Sequence, residues 1–133
     1  MGAGTGRLAL VAAKTARVVY CVDPVNNLRN YLKLKAKDQG INNVYIVDGL
    51  IEEIPFEEDF ADVIVAGHVV GGDVKVEIAE MLRVVKAGGQ IILCPGNNDE
   101  DNDTHKYLVK KGFSWSRFEQ PRDGVKRKYW LHL

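Results

Sequence analysis

Apolar and polar positions along this chain switch repeatedly between a period of about 3.6 and short apolar runs, which marks alternating helices and strands. Residues Leu8 to Lys14 follow a glycine turn and are rich in Ala and Leu, predicting a short helix. Arg17 to Val22 (RVVYCV) is β-branched and aromatic, the composition of a strand. Leu28, Tyr31, Leu32 and Ala36 recur at helical spacing, and Gly40 stands where a helix C-terminal glycine belongs. Val44 to Val47 is the next strand, ending at Asp48-Gly49. The acidic stretch around Pro55 reads as loop, with room for one helical turn. Asp62 to Ala66 (DVIVA) predicts a strand buried on both faces.

Asp73 is placed to cap a helix whose inner stripe is Val74, Ile78, Met81, Leu82 and Val85, running to Gly88-Gly89. Gln90 to Cys94 (QIILC) is another buried strand, and Pro95 to Asp103 a polar loop. Thr104 to Lys111 suits a short helix stopped at Gly112. Phe113 to Phe118 and Lys128 to Leu133 predict two strands joined around Pro121 and Asp123-Gly124, a hairpin signal. The alternation predicts an α/β fold, one domain over residues 1–133, with a mostly parallel sheet and a C-terminal antiparallel hairpin.

With 133 residues the chain buries one sizeable core, and its 46% apolar content excludes a disordered segment. Lys and Arg balance Asp and Glu at 18 each, so no overall field draws the chain toward nucleic acid or an anionic membrane. No stretch approaches the roughly 18 apolar residues of a membrane span. Cys21 and Cys94 lie in apolar runs and fit a reducing cytoplasm better than a disulfide framework. No Cys/His spacing suggests a metal site.

The candidate chemistry begins at Gly2-Ala3-Gly4-Thr5-Gly6, a turn that lets the backbone approach a ligand and opens a helix N-terminus to it. A dinucleotide fingerprint G-x-G-x-x-G would need glycine where Arg7 stands, which counts against a nicotinamide-dependent oxidoreductase. Asp23 ends the first strand roughly 20 residues past the glycines, where a carboxylate accepts both hydroxyls of a ribose; it also suits a helix cap before Pro24. Asp48, at the end of the next strand, suits an adenine amino group and equally an Asp-Gly turn. His68, after the DVIVA strand, reads as a general base or as a strand-end packing residue.

The ordered segments GAGTG, VVYCVDP, YIVDG, FADVIVAGHVV and MLRVVKAGGQIILCPG resemble the motif series of class I S-adenosylmethionine-dependent methyltransferases of type 11. The stretch Leu82-Arg83-Val84-Val85-Lys86-Ala87-Gly88-Gly89 departs only conservatively from the family's Leu-Arg-x-Leu-Lys-Pro-Gly-Gly. The resemblance implies a Rossmann-like sheet in the order 3-2-1-4-5-7-6, here lacking the N-terminal helix and the first strand, whose loss splits the sheet in two. It implies S-adenosyl-L-methionine as cofactor and methyl transfer to an unidentified acceptor. Gly2, Ala3, Gly4 and Gly6 would pass under its methionine and ribose; Asp23 would hold the ribose, with Pro24 and Val25 lining the adenine slot. Asp48 would meet the adenine amino group beside Gly49 and Leu50. Ala66, Gly67 and His68 would lie beside the methyl-bearing sulfonium.

Ala66-Gly67-His68-Val69 lacks the Asn/Asp-Pro-Pro-aromatic signature of methylation on nucleobases. A non-catalytic, methyltransferase-like binding module stays open as a second reading. Because backbone groups facing a missing strand cannot stay buried and unpaired, either the strands Val18–Val22 and Asp62–Ala66 pair directly, or a segment from a second copy or an upstream peptide fills the slot, the second copy giving a homodimer by strand exchange.

Overall fold

The computed structural model describes residues 1–96 and 99–133; Asn97 and Asn98, inside the expected polar loop, lie outside the described residues. The chain divides into two compact units, Met1–Pro55 and Phe56–Leu133. Each has its own sheet, two-stranded in the first and four-stranded in the second.

In the first unit, the glycine turn leads into α1 (Arg7–Ala12), followed by β1 (Val19–Val22), α2 (Asn26–Asp38) and β2 (Val44–Val47). The two strands pair in parallel, Val19 opposite Val44 through Val22 opposite Val47, which makes β1-α2-β2 a right-sized crossover unit. Leu10, Cys21, Leu32 and Ala36 form the buried core, with Val19, Val44 and Ile46 packed against it from the strands. Burying a leucine such as Leu32, 1% exposed, contributes about 1.5–3 kcal/mol. α2 closes as expected at Gly40: the Gly40 amide donates to Lys37 O and the Ile41 amide to Ala36 O, a paired C-terminal motif that satisfies two otherwise orphaned carbonyls. The Asn43 side chain donates to Ala13 O and Ala16 O and so closes the end of α1.

The second unit holds β3 (Ala61–Gly67), α3 (Val74–Val84), β4 (Val85–Cys94), α4 (Asp103–Lys110), β5 (Ser114–Gln120) and β6 (Gly124–His132). The strand order is β3-β4-β6-β5, parallel between β3 and β4 and antiparallel in the other two pairs.

Three expectations are corrected. α3 stops at Val84 rather than at Gly88-Gly89, because the Asp59 and Phe60 amides take up the carbonyls of Arg83 and Val84, and Val85 then pairs with Ala61. β3 buries one face only: Ile64 and Ala66 are buried, whereas Val63 is 52% exposed. The strands of the hairpin run to Gln120 and from Gly124, longer than the sequence suggests, because Asp123 N–H closes the turn on Gln120 O. The acidic stretch around Pro55 is irregular, as expected, with a turn at Glu58-Asp59. Among the described residues no helix is long and apolar enough to cross a membrane.

Candidate functional site

Asp23 is 5% exposed at the C-terminal end of β1, and its two carboxylate oxygens are spent on different segments. Oδ2 accepts from the Gly4 amide at 2.8 Å, and Oδ1 from the Val25 amide at 2.9 Å. The carboxylate therefore ties the glycine turn to the strand end, and the Ala3 amide adds a bond to Val22 O at 3.1 Å. Asp23 is not the cap of α2: the N-cap is Val25, with no side-chain cap. A carboxylate has about four acceptor positions, so one on each oxygen remains for a further donor. That is the capacity a ribose diol needs, and the residues fit the cofactor the resemblance implies.

The glycines around it serve two purposes. Gly4 has φ +49°, and a Cβ built there would meet only Gly2 O, at 4.0 Å, so the space over it is open to a ligand. Gly6 has φ +78°, and its Cβ would overlap Leu32 and press on Leu10 at 3.3 Å. Gly6 is thus required by the packing of α1 on α2. Gly2 and Ala3 are half-buried beside them.

Asp48 forms an ion pair with Arg29 at 2.9 Å, and the same Nη1 of Arg29 donates to Asp23 O at 2.9 Å. Arg29 thereby bridges the ends of β1 and β2. Gly49 lies under Pro55: a Cβ there would be 2.7 Å from Pro55 Cδ and 2.9 Å from Val22 Cγ1. Pro24, Val25 and Leu50 are exposed, the last two at 49% and 50%, and present apolar surface beside the two carboxylates.

The remaining candidates belong to the second unit. Ala66 is fully buried in β3, and Gly67 pairs with Cys94 across the ladder. His68 is exposed with φ +59°, a left-handed conformation that costs a non-glycine residue about 1–3 kcal/mol. Its amide donates to Cys94 O at 2.8 Å. Its ring lies on Gly96: a Cβ at Gly96 would be 2.8 Å from His68 Cε1 and closer still to Nδ1. Burial pushes the Cys94 thiol up, away from nucleophilic chemistry.

A family model described as a methyltransferase domain, of type 11, matches residues 1–93. The chain belongs to that family. S-adenosylmethionine is the family's cofactor. The uncharacterized methyltransferase YcgJ of Bacillus subtilis is 28% identical over 103 residues, covering 76% of this chain and 41% of that protein. A ubiquinone/menaquinone biosynthesis C-methyltransferase, UbiE of Vibrio campbellii, is 33% identical over 102 residues, 70% of this chain and 38% of that protein. The chain thus spans about two fifths of the length of these relatives. Among solved structures, a SAM-dependent methyltransferase from Aquifex aeolicus superposes with a TM-score of 0.74 at 17% identity, over 99% of this chain and 79% of that one, which shows the shared fold.

Two residues of this methyltransferase domain escaped the sequence reading. Arg29 stands in the first turn of a helix with no acid there, where the helix dipole disfavours a cation; that misplacement was the signal. Glu77, 1% exposed, falls three residues after Val74 and four before Met81, a carboxylate inside an apolar stripe.

Proposed function

We propose that this domain transfers a methyl group from S-adenosylmethionine, and the observation that carries the proposal is the buried Asp23 carboxylate joined to the Gly4 amide. When bound, the cofactor supplies an activated methyl on a positively charged sulfur. Asp23 accepts the ribose hydroxyls on its remaining lone pairs, while the open surface over Gly4 admits the adjoining part of the ligand. Asp48, steadied by Arg29, receives the adenine amino group between Val25 and Leu50. His68 turns its Nδ1 edge to Gly96, leaving Nε2 as the ring nitrogen that takes a proton from the acceptor. Orientation and proton removal are what the protein adds to such a reaction.

Calorimetry with S-adenosylhomocysteine and with NAD tests the reading. Tighter binding of NAD sinks it. Because the Vibrio relative is a ubiquinone/menaquinone biosynthesis C-methyltransferase, a quinone precursor is the first acceptor to assay for transfer of labelled methyl. Cofactor binding without transfer to any acceptor moves the domain to the non-catalytic class.

A further inference from the structure

We propose that Glu77 is a positioning residue for His68, acting through the backbone of the segment that joins β3 to α3. The inference rests on reading His68 as the acceptor-side base, and extends it to what holds that base in place. Glu77 shares the buried side of α3 with Ile78 and Met81 and is 1% exposed. A carboxylate so far from water needs hydrogen-bonding partners. It finds them in consecutive amides: Gly71 N–H lies 3.0 and 3.3 Å from its two oxygens, and Gly72 N–H 2.8 Å from Oε1. The helix N-terminus is already capped by Asp73, whose side chain accepts from the Lys75 and Val76 amides. Glu77 therefore reaches past the cap, to the two residues before it.

Gly71 has φ +142°, and no atom lies within 4 Å of the position a Cβ would take, so side-chain packing at that position does not fix it. At the other end of the segment the His68 amide is bonded to Cys94 O and the ring rests on Gly96. Only Val69 and Val70 lie between, and Val70 is buried. A left-handed histidine persists only where its surroundings over-determine the backbone. Glu77 supplies that constraint from one end. Release of Gly71 and Gly72 lets His68 return to negative φ, which swings its ring off Gly96.

The His68 imidazole resonances of 15N-labelled protein report this without a known acceptor. Glu77→Gln keeps an amide oxygen for Gly72 and is expected to retain wild-type resonances. Glu77→Leu is expected to shift and broaden them, and to speed amide hydrogen exchange of Gly71 and Gly72 by about tenfold or more. In that variant Ile64 and Ile91, paired in the β3–β4 ladder, keep their protection, and S-adenosylhomocysteine affinity stays unchanged. Gly71→Ala, at an exposed position whose φ excludes alanine, disturbs the same end without touching the buried carboxylate and should move the His68 signals likewise. Unmoved His68 resonances in either variant overturn the proposal. So does a uniform loss of protection through the ladder, which would reduce Glu77 to a structural residue. Failure of the wild-type protein to bind S-adenosylhomocysteine strikes the methyl-transfer reading alone, since the resonances report the coupling with no ligand present.

Discussion

The Gly4 amide and the Asp23 carboxylate, 19 residues apart in the chain, meet at 2.8 Å. Because that carboxylate keeps acceptor capacity for two further donors, its removal affects ligand binding as well as the turn. Charge-assisted bonds of about 1.5–3 kcal/mol each make Asp23→Ala at least about tenfold weaker for S-adenosylhomocysteine by calorimetry. Unchanged affinity in a folded variant would leave Asp23 as a tie between two loops and nothing more.

Gly4 and Gly6 should separate cleanly under the same substitution. Each has positive φ, which costs alanine about 1–2 kcal/mol. At Gly6 the added methyl also collides with Leu32 and Leu10, adding about 1–3 kcal/mol of overpacking. Urea midpoints should fall further for Gly6→Ala, whereas Gly4→Ala should mainly weaken cofactor binding. Equal midpoints would contradict the packing role of Gly6.

The contact of His68 with Gly96 is open to a double-mutant cycle. Gly96→Ala pays for its backbone conformation in any background, but for the collision with the ring only when His68 is present. Gly96→Ala should therefore cost less in a His68→Gly background, with a coupling of about 0.5 kcal/mol or more by chemical denaturation. Additive effects would mean that the ring moves aside without cost.

Acid should loosen the second unit through Asp99 and Asp101. Hydrogen bonds from Arg127 and Arg117 hold the Asp99 carboxyl below its ordinary range, and that from Arg127 does the same for Asp101. A carboxylate with a depressed folded-state pKa stabilises fully above its unfolded value, about 3.9, and loses that contribution as pH falls through the lower folded value. The wild-type melting temperature should drop steeply below about pH 4. Arg127→Met should start lower and drop less over the same range. Parallel acid profiles would show that the pairs do not govern it.

Cys21 should resist alkylation while the protein is folded. Burial pushes its thiol up to about 11, so at pH 8 only roughly one molecule in a thousand carries the thiolate. Rapid modification by iodoacetamide in native buffer, followed by mass spectrometry, would refute the burial of β1.

Much of this was legible in the chain. The strand and helix order followed from periodicity, since a period of two or 3.6 is imposed locally by backbone geometry. The family was legible because its motifs sit at strand ends, where sequence spacing and spatial position coincide. The limits of α3 were not: Val85 to Gly89 could continue a helix, and the carbonyls of Arg83 and Val84 were claimed by amides more than 20 residues earlier in the chain.

The sequence by itself determined the elements, the glycine turn, the placing of Asp23 and Asp48 at strand ends, and membership of the methyltransferase family. Tertiary structure decided what each side chain is used for. Asp23 became a tie between loops instead of a helix cap, Gly6 a packing necessity, and Glu77 a buried acceptor for two loop amides. The physical reason is that propensity and spacing act within a few residues. A buried hydrogen bond is set by which distant segments close packing brings within about 3 Å, and a one-dimensional pattern does not encode that distance.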